Sequence, residues 1–123
     1  MGEALTIRVR REQGCAVVAV AGEVDIATVT RLRERLLGLA ASGCTLVVDL
    51  DQVSFIDSAG LAALVGAARR AAAHGASLQV VCARPRTRQL FRLTGLDGLV
   101  PLARTLDGAL ESGVDLQRNW NAR

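Results

Sequence analysis

An acid and a hydroxyl stand side by side at Asp57-Ser58, inside the stretch "VSFIDSAGLAALVGAARR". There an apolar run stops and a long Ala/Leu pattern begins. Ser58 has the chemistry of a nucleophile, of a phosphoryl acceptor or of a helix cap. A serine nucleophile needs a general base within hydrogen-bond reach. The single histidine, His74, closes the helix that Ser58 opens, and a rise of 1.5 Å per residue puts roughly 24 Å between them. A Ser–Lys pair is excluded because all 15 basic residues are arginine. Phosphate-cradling loops are absent too: the chain holds no GxxxxGK[ST], and no GxGxxG joins a strand to a helix. Catalysis by this chain alone is therefore not expected.

Two readings of Ser58 remain. In the first, Asp57 or Ser58 accepts a backbone N–H and caps the helix, a contribution of about 1 kcal/mol. In the second, Ser58 receives a phosphoryl group at the helix N-terminus, which accommodates an anion, while Asp57 opposes it. Gly60 then keeps the approach open for a partner's backbone, and Ala59 is too small to obstruct it. Asp49 and Asp51 imitate the strand-end acids of a phospho-aspartate receiver, but the lysine of such sites is missing. Cys15, Cys44 and Cys82 form no CxxC and read as free thiols in a reducing compartment. With one histidine, a metal site lacks ligands. Arg84, Arg86, Arg88 and Arg92 form a local basic cluster. With 2% aromatic residues and a net charge of +3, it reads as a solvated helix start, with a partner-docking or anion-binding edge as the alternative, rather than as a nucleic-acid surface.

The elements that position these residues follow from periodicity. Leu5, Ile7 and Val9 alternate with polar residues, giving a half-exposed strand. A turn at Gln13-Gly14 leads to a second, more central strand over Ala16–Ala21. "GEVD" breaks that run. Ile26, Val29, Leu32, Leu36, Leu39 and Ala40 then follow helical spacing, with Asp25 or Thr28 as cap and Ser42-Gly43 as stop. Thr45–Leu50 is a third strand, and "DQVSFID" reads as a linker. The second helix runs from about Ala59 to Ala73, and Ser77–Ala83 is a fourth strand. A short helix follows the Pro85 turn, with Leu90, Leu93 and Phe91 as its inward candidates. A last strand holds Pro101, which argues for an edge, and "TLDGALES" makes a final helix. The order ββαβαβαβα implies an α/β fold: a mostly parallel sheet of about five strands with an N-terminal hairpin, flanked by about four helices. Sites in such sheets gather beyond the carboxyl ends of the strands. Two junctions lie there, Gly22–Asp25 and Asp57–Gly60.

A chain of 123 residues that is 50% hydrophobic makes one domain with a core of its own. We place that domain at residues 1–114, with 115–123 a polar tail that carries Trp120. No apolar run reaches the length of a membrane span. The N-terminus has no apolar core after a basic start, so a cytoplasmic protein is expected.

Three segments, "GEVDIATVTRLRERL", "LVVDLDQVSFIDSAGLAALV" and "LQVVCARPRTRQLFRLTGLDGLV", taken in order, resemble the anti-sigma factor antagonists with a STAS domain. The match is collinear over roughly Leu5 to Ser112. The resemblance implies a bacterial transcription regulator that binds an anti-sigma factor, itself a serine kinase, and so releases a sigma factor. It places the phosphorylation acceptor on Ser58, with Asp25, Thr28, Asp57, Ala59 and Gly60 at the partner face. Phosphorylation switches binding off, and a PP2C-type phosphatase reverses it. ATP and Mg²⁺ belong to the kinase, and no cofactor, nucleic acid or membrane is implied for this chain, which is expected as a monomer or weak dimer. The alternative is a STAS scaffold or regulatory subunit of a stress-signalling or transport complex.

Overall fold

The computed structural model describes residues 4–112. The expected domain end at residue 114, the tail and Trp120 lie outside the described residues. Five strands form one sheet in the order β1-β2-β3-β4-β5. β1 (Leu5–Glu12) and β2 (Cys15–Val24) are an antiparallel hairpin. Gln13 and Gly14 turn it, both at positive φ (51° and 79°), the twist that two-residue hairpin loops favour. β3 (Leu46–Ile56), β4 (Leu78–Val81) and β5 (Leu102–Ala103) then add in parallel. The first two of these additions run through the helices α1 (Val29–Ala41) and α2 (Ser58–Ala73). β5 follows α3 (Pro85–Leu93) and a short 3₁₀ turn at Leu96–Gly98. A further helix, α4, occupies residues 106–112.

Period-two alternation along the central strands divides the apolar residues between the two sheet faces. Ala16, Val18 and Val20 of β2 and Leu46, Val48 and Leu50 of β3 join the main core with Leu32 and Leu36 of α1 and Leu64 and Ala67 of α2. Cys15, Val17, Val47 and Val81 point the other way and meet Ala109 and Leu110 of α4. Within the sheet's second layer, buried Gln79 donates to the carbonyl of Ala109 at 3.2 Å, which ties α4 to β4.

β2 and β3 are longer than the sequence suggests, and the segment read as a linker is the second half of β3. The reason lies in their register. Ala19 faces Asp49 but Ala21 faces Gln52; Gly22 faces Val53 but Glu23 faces Phe55. β3 thus inserts an extra residue at two places, each a β-bulge. Each bulge flips the inward phase, so Leu50, Val53 and Ile56 are all buried although their spacing is neither two nor four. The "GEVD" break is also pairing strand up to Val24. Gly22 is bonded territory between neighbours: it has φ 110°, and a Cβ there would run into the carbonyl of Ala4. That carbonyl accepts the Glu23 N–H at 3.0 Å.

Two side-chain assignments change as well. α1 starts at Val29, not near Ile26, and Ile26 is 82% exposed. In α3 it is Phe91 that is fully buried, while Leu93 is 78% exposed. Phe91 and Leu93 are two positions apart, about 200° around a helix, so both cannot face the core, and the larger side chain takes it.

Candidate functional site

The parallel pairing of β2 and β3 ends at Val24 opposite Ile56, and the Asp57 N–H donates to the Val24 carbonyl at 3.1 Å. The next residues along the chain, Asp25 and Asp57, therefore leave neighbouring strand ends, where paired backbones run about 5 Å apart. Both expected junctions meet at this carboxyl end of the sheet. Ser58 follows β3 at once, with only Asp57 between them.

Each junction is held by its own aspartate. Asp25 Oδ1 accepts the N–H of Ala27 at 2.9 Å and of Thr28 at 3.1 Å. The Thr28 hydroxyl donates to the Glu23 carbonyl at 2.8 Å and accepts from the Asp25 N–H at 3.1 Å. This closed turn satisfies the local donors before α1 begins, which is why the helix starts late. Thr28 occupies the N-cap position, but its side chain makes no cap bond. Ile26, between the two polar residues, is left pointing to solvent.

Asp57 caps α2. Its extended backbone (φ −105°, ψ −173°) lets Oδ1 accept the N–H of Ala59 at 3.0 Å and of Gly60 at 3.1 Å, and its carbonyl accepts from Leu61 at 3.0 Å. Ser58 is the first helical residue. It is exposed, and no hydrogen bond joins its hydroxyl to another described residue. Of the two candidates for the cap, Asp57 is the one that does it, and Ser58 is free of that task.

Gly60 has a different place from the one expected. It is buried, and an added Cβ would lie 2.6 Å from Cγ1 of both Val24 and Ile56. Its small size lets α2 settle on the strand ends, and it does not open the face to a partner. Ala59 is half-buried beside it.

Several other titratable groups hold the local structure. His74 caps the far end of α2, its Nδ1 2.9 Å from the Arg70 carbonyl. Asp49 Oδ1 accepts the Asp51 N–H at 3.0 Å, and Asp51 Oδ1 accepts the Ala83 N–H at 2.8 Å, so both acids hold the first bulge and the approach to α3. In the basic cluster, Arg84 donates to the Asp51 carbonyl at 3.1 Å and Arg88 to that of Cys82 at 3.0 Å. Arg86 and Arg92 make no such bond with a described residue. Cys15 and Cys82 are buried and Cys44 half-buried. Desolvation, with Cys44 nearby, pushes the Cys15 thiol above its ordinary pKa. Among the described residues no three of His, Cys, Asp and Glu gather where they could hold a metal ion, and no helix is long and apolar enough to cross a membrane.

The surroundings of the site hold what sequence reasoning missed. Phe55 is 52% exposed, because the second bulge turns it outward. It lines a groove of about 350 Å³ between the end of β3 and α3, with Ile56, Arg86, Leu90 and Leu93. The missed signal was the phase of the buried residues along β3.

Known proteins share this fold. Residues 7–101 match the family model described as "Mlab, STAS domain". The chain is 31% identical to the anti-sigma-B factor antagonist of Bacillus subtilis, over 87% of this chain and 98% of that protein. It is 33% identical to the anti-sigma-F factor antagonist RsfB of Mycobacterium tuberculosis, over 88% of each. Among solved structures, an anti-sigma factor antagonist from Mycobacterium paratuberculosis superposes with a TM-score of 0.82 at 35% identity, covering 89% of this chain and 93% of that one.

Proposed function

The chain belongs to the STAS-domain family of anti-sigma factor antagonists, and from that premise we propose that it binds an anti-sigma factor through the Asp25–Thr28 and Asp57–Ser58 junctions, and that phosphorylation of Ser58 turns the binding off. One observation carries this reading: the Ser58 hydroxyl is exposed and uncommitted at a helix start whose cap is already supplied by Asp57. The chain's one imidazole, His74, sits at the other end of α2 and cannot serve that hydroxyl. On this reading, as the family resemblance implies, the anti-sigma factor is itself a serine kinase and brings the base together with ATP and Mg²⁺. Ser58 Oγ attacks the γ-phosphorus, the bond to the bridging oxygen breaks, ADP leaves, and the serine proton passes to the kinase's base. A PP2C-type phosphatase hydrolyses the ester. The chain itself acts as substrate and ligand, not as enzyme.

The switch follows from charge. A phosphoryl group adds about −1.5 to −2 at neutral pH. The nearest amides, those of Ala59 and Gly60, already serve the Asp57 carboxylate, so the phosphate projects into the interface beside Asp57 and Asp25. Like charges brought together while water is removed cost several kcal/mol, and a penalty of ~4 kcal/mol weakens binding about a thousandfold.

The test is to incubate the protein with its cognate kinase and ATP, map the product by mass spectrometry and measure binding of both forms by calorimetry. We expect phosphate on Ser58 alone. Ser58→Ala should bind like the unmodified chain and Ser58→Asp should bind far more weakly. Phosphate elsewhere, or equal binding by the two variants, would overturn the proposal.

A further inference from the structure

A hydroxyl and two short turns are a small target for a stable complex, in which each partner covers about 800 Å². Among the described residues four large apolar side chains are exposed: Ile26, Phe55, Leu93 and Leu99. Phe55 and Leu93 line one groove, together with Ile56, Leu90 and Arg86. Ile26 belongs to the Asp25–Thr28 turn at the same end of the sheet. The groove is continuous with the switch, because Ile56 forms its wall and Asp57 and Ser58 are the next two residues. Exposed apolar surface of this kind, with a polar rim, marks an interaction site, and an aromatic ring at its floor is a usual anchor.

Charge says what fits it. Arg86 stands on the rim and, among the described residues, has no carboxylate or carbonyl partner, whereas Arg84 and Arg88 are tied to backbone carbonyls. The switch end, by contrast, carries the carboxylates of Asp25 and Asp57. The surface is thus polarised, negative at the hydroxyl and positive at the groove, and a partner lying across both can dock in one orientation only.

We propose that this groove between β3 and α3 is a second docking site for the same anti-sigma factor, which fills it with an apolar side chain flanked by a carboxylate that pairs with Arg86. This rests on the reading of Ser58 given above. It adds that recognition and switching reside on separate residues: the groove supplies affinity that does not depend on phosphorylation, and Ser58 modulates it. Groove variants therefore weaken binding by the same factor whether or not Ser58 carries charge.

The test uses the full chain and the purified anti-sigma factor kinase of the same genome. Leu93→Glu and Arg86→Glu are made in both the Ser58→Ala and the Ser58→Asp backgrounds, and affinities are read by calorimetry and competition. Both side chains are exposed, so circular dichroism and melting temperature should stay unchanged. The expected result is a loss of at least tenfold for each variant, equal in the two backgrounds, with an acidic-to-Arg substitution on the kinase restoring binding to Arg86→Glu. Unchanged affinity for both groove variants, while Ser58→Ala and Ser58→Asp still differ, overturns the groove and leaves the switch standing. Equal binding by the two Ser58 variants, with the groove losses intact, overturns the switch and leaves the docking site. A change confined to self-association, seen by sedimentation, would assign the groove to a second copy of this chain and also overturn the proposal. No binding to the kinase by any form overturns both readings.

Discussion

Replacing Gly60 by alanine tests how the site is held. Gly60 lies in the first turn of α2, over the paired ends of β2 and β3. The added Cβ would stand 2.6 Å from Cγ1 of Val24, 2.6 Å from Cγ1 of Ile56 and 3.1 Å from Ile56 Cδ1, against an optimum of about 3.5–4.0 Å between carbons. Neither γ carbon has room to retreat: Val24 is 0% and Ile56 8% exposed, and β-branched side chains are stiff at χ1. Relief must come from lifting the start of α2 off the sheet. Overpacking of this kind costs about 1–3 kcal/mol, and the better helix propensity of alanine returns at most ~1 kcal/mol. A net loss of about 1–2 kcal/mol corresponds to a melting temperature roughly 5–10 °C lower for a domain of this size. Gly66 provides the control on the same helix. It is exposed, and a Cβ there meets nothing within 4 Å, so Gly66→Ala should gain about 0.5–1 kcal/mol. Thermal unfolding followed by circular dichroism reads both. Lifting the helix also displaces Ser58, so the cognate kinase should phosphorylate Gly60→Ala more slowly than Gly66→Ala. If the two variants melt together, the close approach of α2 to Val24 and Ile56 does not set the position of the site.

The cap and the thiols give two further expectations. Asp57→Ala removes the acceptor of two helix N–H groups and should cost about 1 kcal/mol, whereas Ser58→Ala should leave the unfolding free energy, read by chemical denaturation, within about 0.5 kcal/mol of the parent. Asp57→Asn keeps an acceptor but removes a charge, so phosphorylation should weaken its binding by a smaller factor. Burial, and secondarily Cys44, raises the Cys15 pKa in the folded state. The unfolded chain then loses that proton first, so stability should fall as pH rises above about 8.5, the ordinary thiol value. Chemical denaturation between pH 7 and 10 should show a shallower decline in Cys15→Ala, and an equal slope in both proteins would refute the assignment.

How legible the fold was depended on whether one period governed each segment. α2 keeps a single helical phase from Ser58 to Ala73 and ends at His74-Gly75, so its bounds followed from the sequence almost to the residue. The hairpin turn at Gln13-Gly14 and the stop of α1 at Ser42-Gly43 were equally plain, because each rests on a local conformational need. β3 was not legible past Leu50. Its two bulges break the alternation between Leu50, Val53 and Ile56, and a strand whose inward phase changes twice reads as a loop. Ile26 misled for the opposite reason: it stands three residues before Val29 and fits the helical stripe, yet the Asp25 side chain captures the amides of Ala27 and Thr28 and holds the chain in a turn. The residues of the candidate site were named from their motif, and the motif does not show how they are placed. That Asp25 and Asp57 leave neighbouring strand ends depends on the register of Val24 with Ile56, which exists only once β3 is extended through Phe55. The groove was hidden by the same bulge, since Phe55 on an unbroken alternation has no reason to face solvent.

If Ser58 is the acceptor proposed above, the division of labour between Asp57 and Ser58 decides where the energy of the switch is expressed. Had Ser58 been the cap, its hydroxyl would hold the N–H groups of the first turn, and modifying it would loosen α2 itself. The signal would then be partial unfolding of the domain, sensed by any partner and costly to reverse. With Asp57 holding Ala59 and Gly60, the Ser58 oxygen is joined to no other described residue. A phosphate there gains a little from the positive end of the helix and loses a little to the adjacent carboxylate. In the free protein these two effects oppose one another in high dielectric, where both are weak. They stop being weak only when a partner displaces water from the same surface. Then the phosphate, Asp57 and Asp25 are desolvated together, and the repulsion acquires its full size. On the proposed function, the domain therefore carries the modification without unfolding, while the complex does not accommodate it.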